Sequence, residues 1–392
     1  MSSRVNGEMH EFSYYSPTAV EFGENILRKR TEQLKSFGKK AYIITGRFLQ
    51  GSRNRALDDI TEIFGEIGTD YFVNEDVCEN PPVESVVSVA ESIREYAPDF
   101  VVAIGGGSSL DTAKAANVLL AYPSDSDAYS VFFGDKCSFK KGKGEGILPL
   151  YAVPTIAGNG AEVMGFAVLT RADTNTKLGI NEMSFFDAAF LDPRYIDQSP
   201  YALLDNGALD ALAHGVECYM HRDSSWANQS LSDAGFRIFA QYKDKLAKRC
   251  MAEDNFGQMQ LAGSVQGMAC QQVPTTLPHG MGYPLSHQKG IYHGHASAVT
   301  LGEYMRIFKE PENIRKVRHI LELCGFGSID EMCEYIDGIV CRDVEMTVSE
   351  AEIAQWADEV MKIDFRIHGH PEKVCAEDIK NIYRRSLKRY IK

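Results

Sequence analysis

Hydrophobic and polar positions follow two different periods along this chain. In its first half, short apolar runs stand between longer segments whose apolar positions recur every three to four residues. The short runs predict strands at Ala41–Thr45, Asp70–Val73, Phe100–Ile104 and Leu148–Val153. The longer segments predict helices, as at Pro82–Tyr96 and Ser108–Ala121. Strands that alternate with helices are typical of a parallel sheet, so the first half is predicted to be an α/β domain.

From about Asp192 onwards the pattern is almost entirely helical. The predicted helices are Ala202–Arg222, Ala227–Cys250, Asn255–Cys270, Glu310–Cys324, Ser328–Val340, Ser349–Met361 and Ala376–Tyr390. Pro193 follows Asp192, and proline resists the continuation of a helix through it. We therefore predict an α/β domain over residues 1–192 and an all-helical domain over residues 193–392. A small-molecule site is expected in the cleft between such domains.

Composition and charge narrow the possible partners. The 392 residues carry a formal net charge of −13, which disfavours nucleic acid and anionic membranes as partners. No run approaches the roughly 20 apolar residues that span a bilayer, and no secretory signal is visible. The nine cysteines form no CxxC pair, which is typical of reduced thiols in the cytoplasm. A cytoplasmic homodimer is the expectation for such a chain.

A glycine-rich loop follows the clearest predicted strand. It reads Gly105, Gly106, Gly107, Ser108 and Ser109, and it opens the helix that contains Asp111 and Lys114. Glycines let the backbone approach an anion, and a helix N-terminus offers free amide groups. The spacing matches neither GxGxxG nor GxxxxGK[ST]. The loop therefore indicates either a phosphate-binding turn or a tight turn with Ser108 as the N-cap.

A second polar loop, residues 153–163, follows the next predicted strand. Its Thr155, Gly158 and Asn159 supply polar groups and a close backbone approach that suit the other side of a dinucleotide. The same residues are equally common in ordinary loops, so both interpretations stay open.

Acidic and imidazole side chains are concentrated in the second half. Asp210 and His214 are four residues apart on a predicted helix, which places them on one face. His279, His287, His293 and His295 then fall within a short segment. Pro284 and Gly290 interrupt this segment, so His279 and His293 are predicted to lie on different elements that converge. Imidazoles with one carboxylate suit Fe²⁺ or Zn²⁺ and do not suit Mg²⁺ or Ca²⁺.

The motifs, taken in order, resemble those of the iron-containing (group III) alcohol dehydrogenase family. Residues 105–114 are similar to GGGSxxDxAK, and residues 154–163 are similar to PTTxGTGSEV. LDALAHGVE at residues 209–217 resembles DALTHAxE, and residues 279–298 resemble HxMxHPLGxxYxxPHGxxNA. The resemblance covers nearly the whole chain. It implies a Rossmann-like dinucleotide-binding domain followed by a helical, metal-binding domain, as in dehydroquinate synthase-like folds.

Site residues follow from this resemblance position by position. It implies the metal ligands Asp210, His214, His279 and His293, and it leaves out His287 and His295. It implies cofactor contacts at Gly105, Gly106, Gly107, Ser108, Ser109, Asp111, Thr155, Ile156, Gly158 and Asn159. Ile156, Asn159 and Ala161 replace the usual Thr, Thr and Ser. Tyr283 stands where many members carry a histidine that relays a proton, so Tyr283 and His279 are the candidate catalytic residues.

The residues that follow the first predicted strand, Ala41–Thr45, indicate which cofactor is preferred. Members that prefer NAD carry an Asp there, which binds the adenosine ribose hydroxyls. This chain has Gly46 and Arg47 instead, so no carboxylate repels a 2′-phosphate and a guanidinium is able to pair with it. We predict cofactor contacts at both residues and a preference for NADP(H) over NAD(H).

The activity implied is that of a metal-dependent, NAD(P)H-linked alcohol dehydrogenase or aldehyde reductase. It transfers hydride between nicotinamide and an aldehyde or primary alcohol whose oxygen binds the metal. Fe²⁺ is the metal that the resemblance implies, and Zn²⁺ accepts the same ligands. Two alternatives stay open at this point. They are a zinc polyol dehydrogenase like glycerol dehydrogenase, and a homologue that binds metal or nucleotide without turnover.

Overall fold

The computed structural model describes residues 11–46, 54–134, 146–173, 176–181, 183–342 and 344–392. Within these ranges the chain forms two compact units. The first, here called the α/β unit, comprises Ser16–Ile156 and Ala161–Gln198. The second, here called the helical unit, comprises Ser199–Lys392, the described part of Met1–Tyr15, and the short segment Ala157–Gly160.

The α/β unit is built on a parallel sheet. Its six strands are β1 (Ala19–Phe22), β2 (Lys40–Gly46), β3 (Asp70–Val77), β4 (Phe100–Gly105), β5 (Leu150–Pro154) and β8 (Ala188–Leu191). Their order is β1-β8-β5-β4-β2-β3, and every neighbouring pair is parallel. A separate antiparallel hairpin is formed by β6 (Val168–Arg171) and β7 (Thr176–Gly179). The predicted α/β class and the four predicted strands are confirmed.

Alternation along the central strands explains why the sheet is covered on both faces. In β4, Val101 and Ala103 belong to one hydrophobic core cluster, while Val102 and Ile104 belong to the other. Side chains of a strand point to opposite faces in turn, so each face has its own core. The helices of this unit are α1 (Ile26–Lys29), α2 (Thr31–Lys35), α3 (Arg55–Ile67), α4 (Val83–Tyr96), α5 (Gly107–Leu120) and α6 (Ala128–Phe133), with a 3₁₀ turn at Pro193–Tyr195.

The helical unit contains no named strand within its described residues. Its helices are α7 (Tyr201–Met220), α8 (Trp226–Ala247), α9 (Glu253–Cys270), α10 (Leu277–Lys289), α11 (His293–Ala298), α12 (Leu301–Arg306), α13 (Pro311–Cys324), α14 (Ile329–Val340), α15 (Glu350–Val360), α16 (Asp364–Gly369) and α17 (Ala376–Ser386). Helix α7 is buried along almost its whole length and packs against α8, α9 and α11. Any polar side chain on α7 therefore needs a partner inside the protein.

One local prediction for this unit is wrong. Pro284 does not interrupt the segment between His279 and His293, because α10 runs through it from Leu277 to Lys289. An internal proline removes a single backbone hydrogen bond, and the packing of a buried helix offsets that loss. Gly290 does end the helix, in the left-handed conformation with φ of 69°. His279 and His293 therefore lie on separate helices, as predicted, with only Gly290 as the break.

The helices were also compared with the requirements of a bilayer. Over the parts of the chain that the structure describes, no helix is both long enough and apolar enough to cross a membrane.

Candidate active site

Three imidazoles surround one carboxylate oxygen in the helical unit. Asp210 Oδ1 lies 3.5 Å from Nε2 of His279 and 3.9 Å from Nε2 of His293. Nε2 of His214, one turn further along α7, is also 3.9 Å from this oxygen. The structure thus brings together all four residues that the resemblance implies as ligands. The donor atoms of Asp210, His279 and His293 lie within 4.8 Å of one another.

His214 is placed differently from the other two histidines. It falls outside that closest set of three, and its ring stacks on His279 with a centroid distance of 4.7 Å and an interplanar angle of 13°. A ring held in this way keeps its edge towards Asp210. Its Nε2 is nevertheless as close to Asp210 Oδ1 as that of His293, so His214 is in reach of a shared cation.

The donor set fits a divalent cation. Asp210 and His279 are buried, and Asp210 Oδ1 and His279 Nε2 have no hydrogen-bond partner among the described residues. Buried polar atoms without a partner are rare because each costs free energy. A metal between them satisfies both atoms. One carboxylate with imidazoles suits Fe²⁺ or Zn²⁺.

Electrostatics at this centre favour positive charge. Burial by itself raises the pKa of Asp210, but the neighbouring imidazoles, His214 first, outweigh it and hold the pKa well below its ordinary value. Burial lowers the pKa of His214. Burial also disfavours a charged His279, yet the carboxylates of Glu217 and Asp210 raise its pKa to about 10. A metal that binds His279 near neutral pH must therefore displace a proton from it.

The glycine-rich loop joins β4 to α5 in the α/β unit. Gly105 ends β4 with φ of +148°, a conformation that side chains rarely adopt. Gly106 is the N-cap of α5, and no side chain caps this helix. Ser108 is thus not the N-cap, and its Oγ accepts a hydrogen bond from the Asn80 amide at 3.2 Å. The uncapped amides at Gly107 and beyond suit an anion.

The second polar loop packs beside the first. The amide of Thr155 donates to the Gly105 carbonyl at 3.0 Å. Ile156 lies over Gly106, where an added Cβ would come within 2.7 Å of the isoleucine Cδ1. A larger residue at position 106 would therefore require the Ile156 side chain to move. Gly158 of the second loop packs with φ of +128° against the backbone of Gly207 on α7. Asn159 follows it in the same short segment of the helical unit.

Both carboxylate oxygens of Asp111 are bound by other groups of the protein. Its Oδ1 pairs with Nζ of Lys114 at 2.9 Å, and its Oδ2 accepts the amide of Val168 at 3.0 Å. Lys114 is fully buried and also donates to the carbonyls of Ala161 and Phe166. Both residues therefore fix the segment after the second loop. Gly46 ends β2, whereas Arg47 and the nearby Ser52 and Arg53 lie outside the described residues.

Comparison with known proteins identifies the family. Residues 17–193 match the model of iron-containing alcohol dehydrogenases, and residues 206–387 match the C-terminal model of the Fe-containing alcohol dehydrogenase family. The chain belongs to the iron-containing alcohol dehydrogenase family. It is therefore an oxidoreductase of the class that interconverts alcohols and aldehydes with NAD(P), which confirms the predicted enzyme class.

Three relatives are similar to this dehydrogenase over most of its length. The crystal structure of an iron-containing alcohol dehydrogenase from Thermotoga maritima is 32% identical, with a TM-score of 0.84 over 96% of this chain and 100% of that one. The lactaldehyde reductase of Escherichia coli is 28% identical over 92% of this chain and 96% of its own. The NADPH-dependent butanol dehydrogenase of Clostridium saccharobutylicum is 27% identical over 83% and 80%. Neither alternative function is favoured by these relatives.

Glu217 is a residue of the dehydrogenase's metal centre that the sequence analysis missed. Its Oε1 lies 2.5 Å from Nδ1 of His279, and its Oε2 accepts the amide of Thr276 at 2.6 Å. It is fully buried and orients the imidazole whose other nitrogen faces Asp210. The signal was present, since Glu217 follows Asp210 by seven residues and so shares its helix face.

Asn206 is a second residue that was missed. Its Oδ1 accepts the Gly294 amide at 2.7 Å, in the first turn of α11, which begins at His293. Asn206 lies four residues before Asp210 on α7. One face of α7 thus carries Asp210 and His214 and also holds the start of the helix that presents His293.

Tyr283 lies beside the centre on α10. Its ring stacks on His293 with a centroid distance of 6.0 Å and an angle of 22°, and its hydroxyl is 2.6 Å from Nη2 of Arg366. The two remaining histidines of the segment lie elsewhere. His287 is exposed near the end of α10, and His295 is fully buried in α11.

Proposed function

We propose that this dehydrogenase is an aldehyde reductase with one Fe²⁺ held by Asp210, His214, His279 and His293. The supporting observation is the convergence of the three imidazoles on Asp210 Oδ1. Asp210 Oδ1 and His279 Nε2 are also buried without a hydrogen-bond partner among the described residues. Zn²⁺ is the alternative occupant, because it accepts the same ligands. The substrate class is supported by the family and by the lactaldehyde reductase among the relatives.

When bound, the metal supplies a Lewis acid and the reduced nicotinamide supplies the hydride. The protein contributes the rest of the reaction. Glu217 keeps Nδ1 of His279 engaged, so that Nε2 faces Asp210. Burial of Asp210 and His279 excludes water, which strengthens every electrostatic interaction at the centre. Tyr283 is proposed to take part in proton transfer, because its ring stacks on His293 and its phenol can donate or accept a hydrogen bond.

The nucleotide phosphates are proposed to bind at the N-terminus of α5. Gly105 to Ser109 provide backbone amides there, and Thr155 and Ile156 border them. Gly158 and Asn159 are proposed as further cofactor contacts.

We propose that the enzyme prefers NADPH to NADH, because no carboxylate at the end of β2 would repel the 2′-phosphate. The strand β2 ends at Thr45 and Gly46 without a carboxylate, and one relative is an NADPH-dependent butanol dehydrogenase. We expect a higher kcat/KM for NADPH than for NADH in steady-state aldehyde reduction. Arg47→Ala should lower kcat/KM for NADPH alone, because only that cofactor carries the 2′-phosphate. Equal values for the two cofactors would contradict the proposal.

The activity itself is tested on anaerobically purified protein. After chelation and reloading with Fe²⁺ or with Zn²⁺, oxidation of NADPH is followed over a panel of aliphatic aldehydes. We expect no turnover without metal and restored turnover with Fe²⁺. Turnover without metal would contradict the proposed metal centre.

The oligomeric state and the location of the protein are tested separately. Calibrated gel filtration of the same samples tests the proposed homodimer. Fractionation of the source cells tests the proposed cytoplasmic location.

A further inference from the structure

Arg366 is a buried cation close to the candidate metal centre. Only 3% of its surface is exposed, and it lies in α16. Within the described residues its hydrogen bonds go to neutral oxygens, namely Thr275 Oγ1 at 2.7 Å, the Thr276 carbonyl at 3.1 Å and the Tyr283 hydroxyl at 2.6 Å. Burial of a guanidinium is costly, so its position calls for a function or a strong structural reason.

The hydrogen bond to Tyr283 fixes the direction of the phenol's proton. A guanidinium has only donors, so the phenol oxygen must accept the bond from Arg366. The O–H of Tyr283 is then left to donate to a different acceptor. The guanidinium carbon also lies 4.8 Å from the centroid of the Tyr283 ring. Arg366 thus both holds the ring in place and leaves the hydroxyl as a donor.

The position of the ring brings this donor to the centre. Tyr283 stacks on His293, and it is only partly buried, in contrast to the fully enclosed Arg366. His293 is itself the most exposed of the side chains around Asp210, at 38%. A substrate that approaches the centre from the side of His293 therefore passes beside the side chain of Tyr283.

We propose that Arg366 is a positioning residue, which presents the Tyr283 hydroxyl as a hydrogen-bond donor to the carbonyl oxygen of the aldehyde. This inference rests on the proposed function. Negative charge develops on that oxygen as hydride arrives at the carbon, and a preoriented donor stabilises it. The guanidinium acts only through Tyr283 and does not touch the substrate.

A double-mutant cycle tests the proposal. The variants are Tyr283→Phe, Arg366→Met and the double variant, all loaded with Fe²⁺ and assayed with NADPH and the best aldehyde of the panel. Loss of one such donor typically lowers kcat by about 100-fold. We expect that loss in Tyr283→Phe with a smaller change in KM, and a loss of similar size in Arg366→Met. The double variant should be no slower than Tyr283→Phe, since Arg366 has nothing left to position.

Two further variants separate positioning from folding. Arg366→Lys keeps the positive charge and a hydrogen-bond-donating nitrogen, and we expect it to recover part of the activity that Arg366→Met loses. Tyr383→Phe is the matched control, because the buried Tyr383 hydroxyl donates to the Met281 carbonyl of the same helix α10 at 2.7 Å. It should lower the melting temperature and leave kcat unchanged.

Metal affinity is the readout that does not depend on turnover. Arg366 also bonds Thr276, whose amide donates to Glu217, so a structural role would reach the metal through His279. We expect chelator competition to give the same metal affinity for Arg366→Met and wild type. A weakened metal site, or losses in kcat that multiply in the double variant, would overturn the proposal. An inactive wild type that still binds metal would instead refute the proposed function.

Discussion

At the scale of single residues, the centre depends on groups that do not face the metal site directly. Glu217 is the clearest case, because its two oxygens bind His279 Nδ1 and the Thr276 amide. A carboxylate on the far nitrogen fixes the orientation and the tautomer of a ligand histidine. The residue therefore decides whether Nε2 of His279 is available.

Replacement of Glu217 tests this role. We expect Glu217→Gln to weaken metal binding by roughly 10- to 100-fold, because the amide holds the imidazole less firmly. Competition with a chromophoric chelator measures the affinity. Glu372→Gln is the control, since that carboxylate also accepts backbone amides, those of Lys309 and Glu310, but touches no ligand. It should lower stability without weakening metal binding, and an equal effect on metal binding in both variants would contradict the assignment.

At the scale of elements, α7 organises the site. Asn206, Asp210, His214 and Glu217 recur at helical spacing along it, and the helix is buried against α8, α9 and α11. Gly294 allows α11 to approach closely, since an added Cβ there would come within 2.9 Å of Asp210 Cβ. The proposed ligand His293 is thus placed by the packing of two helices rather than by its own neighbours in sequence.

Removal of the bond between these helices should be visible in metal affinity. We expect Asn206→Ala to cost about 1 kcal/mol of stability, as for other lost caps, and to weaken metal binding because the start of α11 loosens. Asn54→Ala is the matched control, since Asn54 caps α3 by accepting the Leu57 amide at 3.1 Å. Urea unfolding and chelator competition measure the two quantities. An unchanged metal affinity in Asn206→Ala would refute this role.

At the scale of the whole molecule, we expect metal binding and folding to be coupled. The donor atoms come from α7, α10 and α11, so the site exists only when these helices are packed. A ligand that binds only the folded state adds RT ln(1 + [L]/Kd) to the free energy of unfolding, about 2.7 kcal/mol at 100 times Kd. The metal should therefore act as a structural element of the helical unit.

Thermal unfolding with and without metal checks this coupling. We expect Fe²⁺ or Zn²⁺ to raise the melting temperature of the wild type. His279→Ala should show neither this increase nor turnover, because it removes the imidazole between Glu217 and Asp210. Mg²⁺ is the control ion, since the imidazoles do not suit it. The same increase in His279→Ala would place the metal elsewhere.

Much of this protein was predictable from its sequence. The four predicted strands, the glycine-rich loop and the second polar loop were recognised from the sequence, because apolar periodicity and glycine position are local properties. The proposed ligands Asp210, His214, His279 and His293 came from family motifs, and the structure places the three histidines around Asp210 Oδ1. The strands β1 and β8 were not predicted, because each is only four residues long.

Contacts between residues far apart in the chain were not predictable from local patterns. Arg366 lies 83 positions from Tyr283, and Glu217 lies 62 positions from His279, so no local pattern links either pair. Pro284 was wrongly predicted to break a helix. Its effect on the local backbone is outweighed by the packing of α10, which runs through it. Residue types and their spacing along the chain specify the helices and strands and supply the proposed ligands. Packing decided their orientation, because contacts between elements depend on every side chain at the interface.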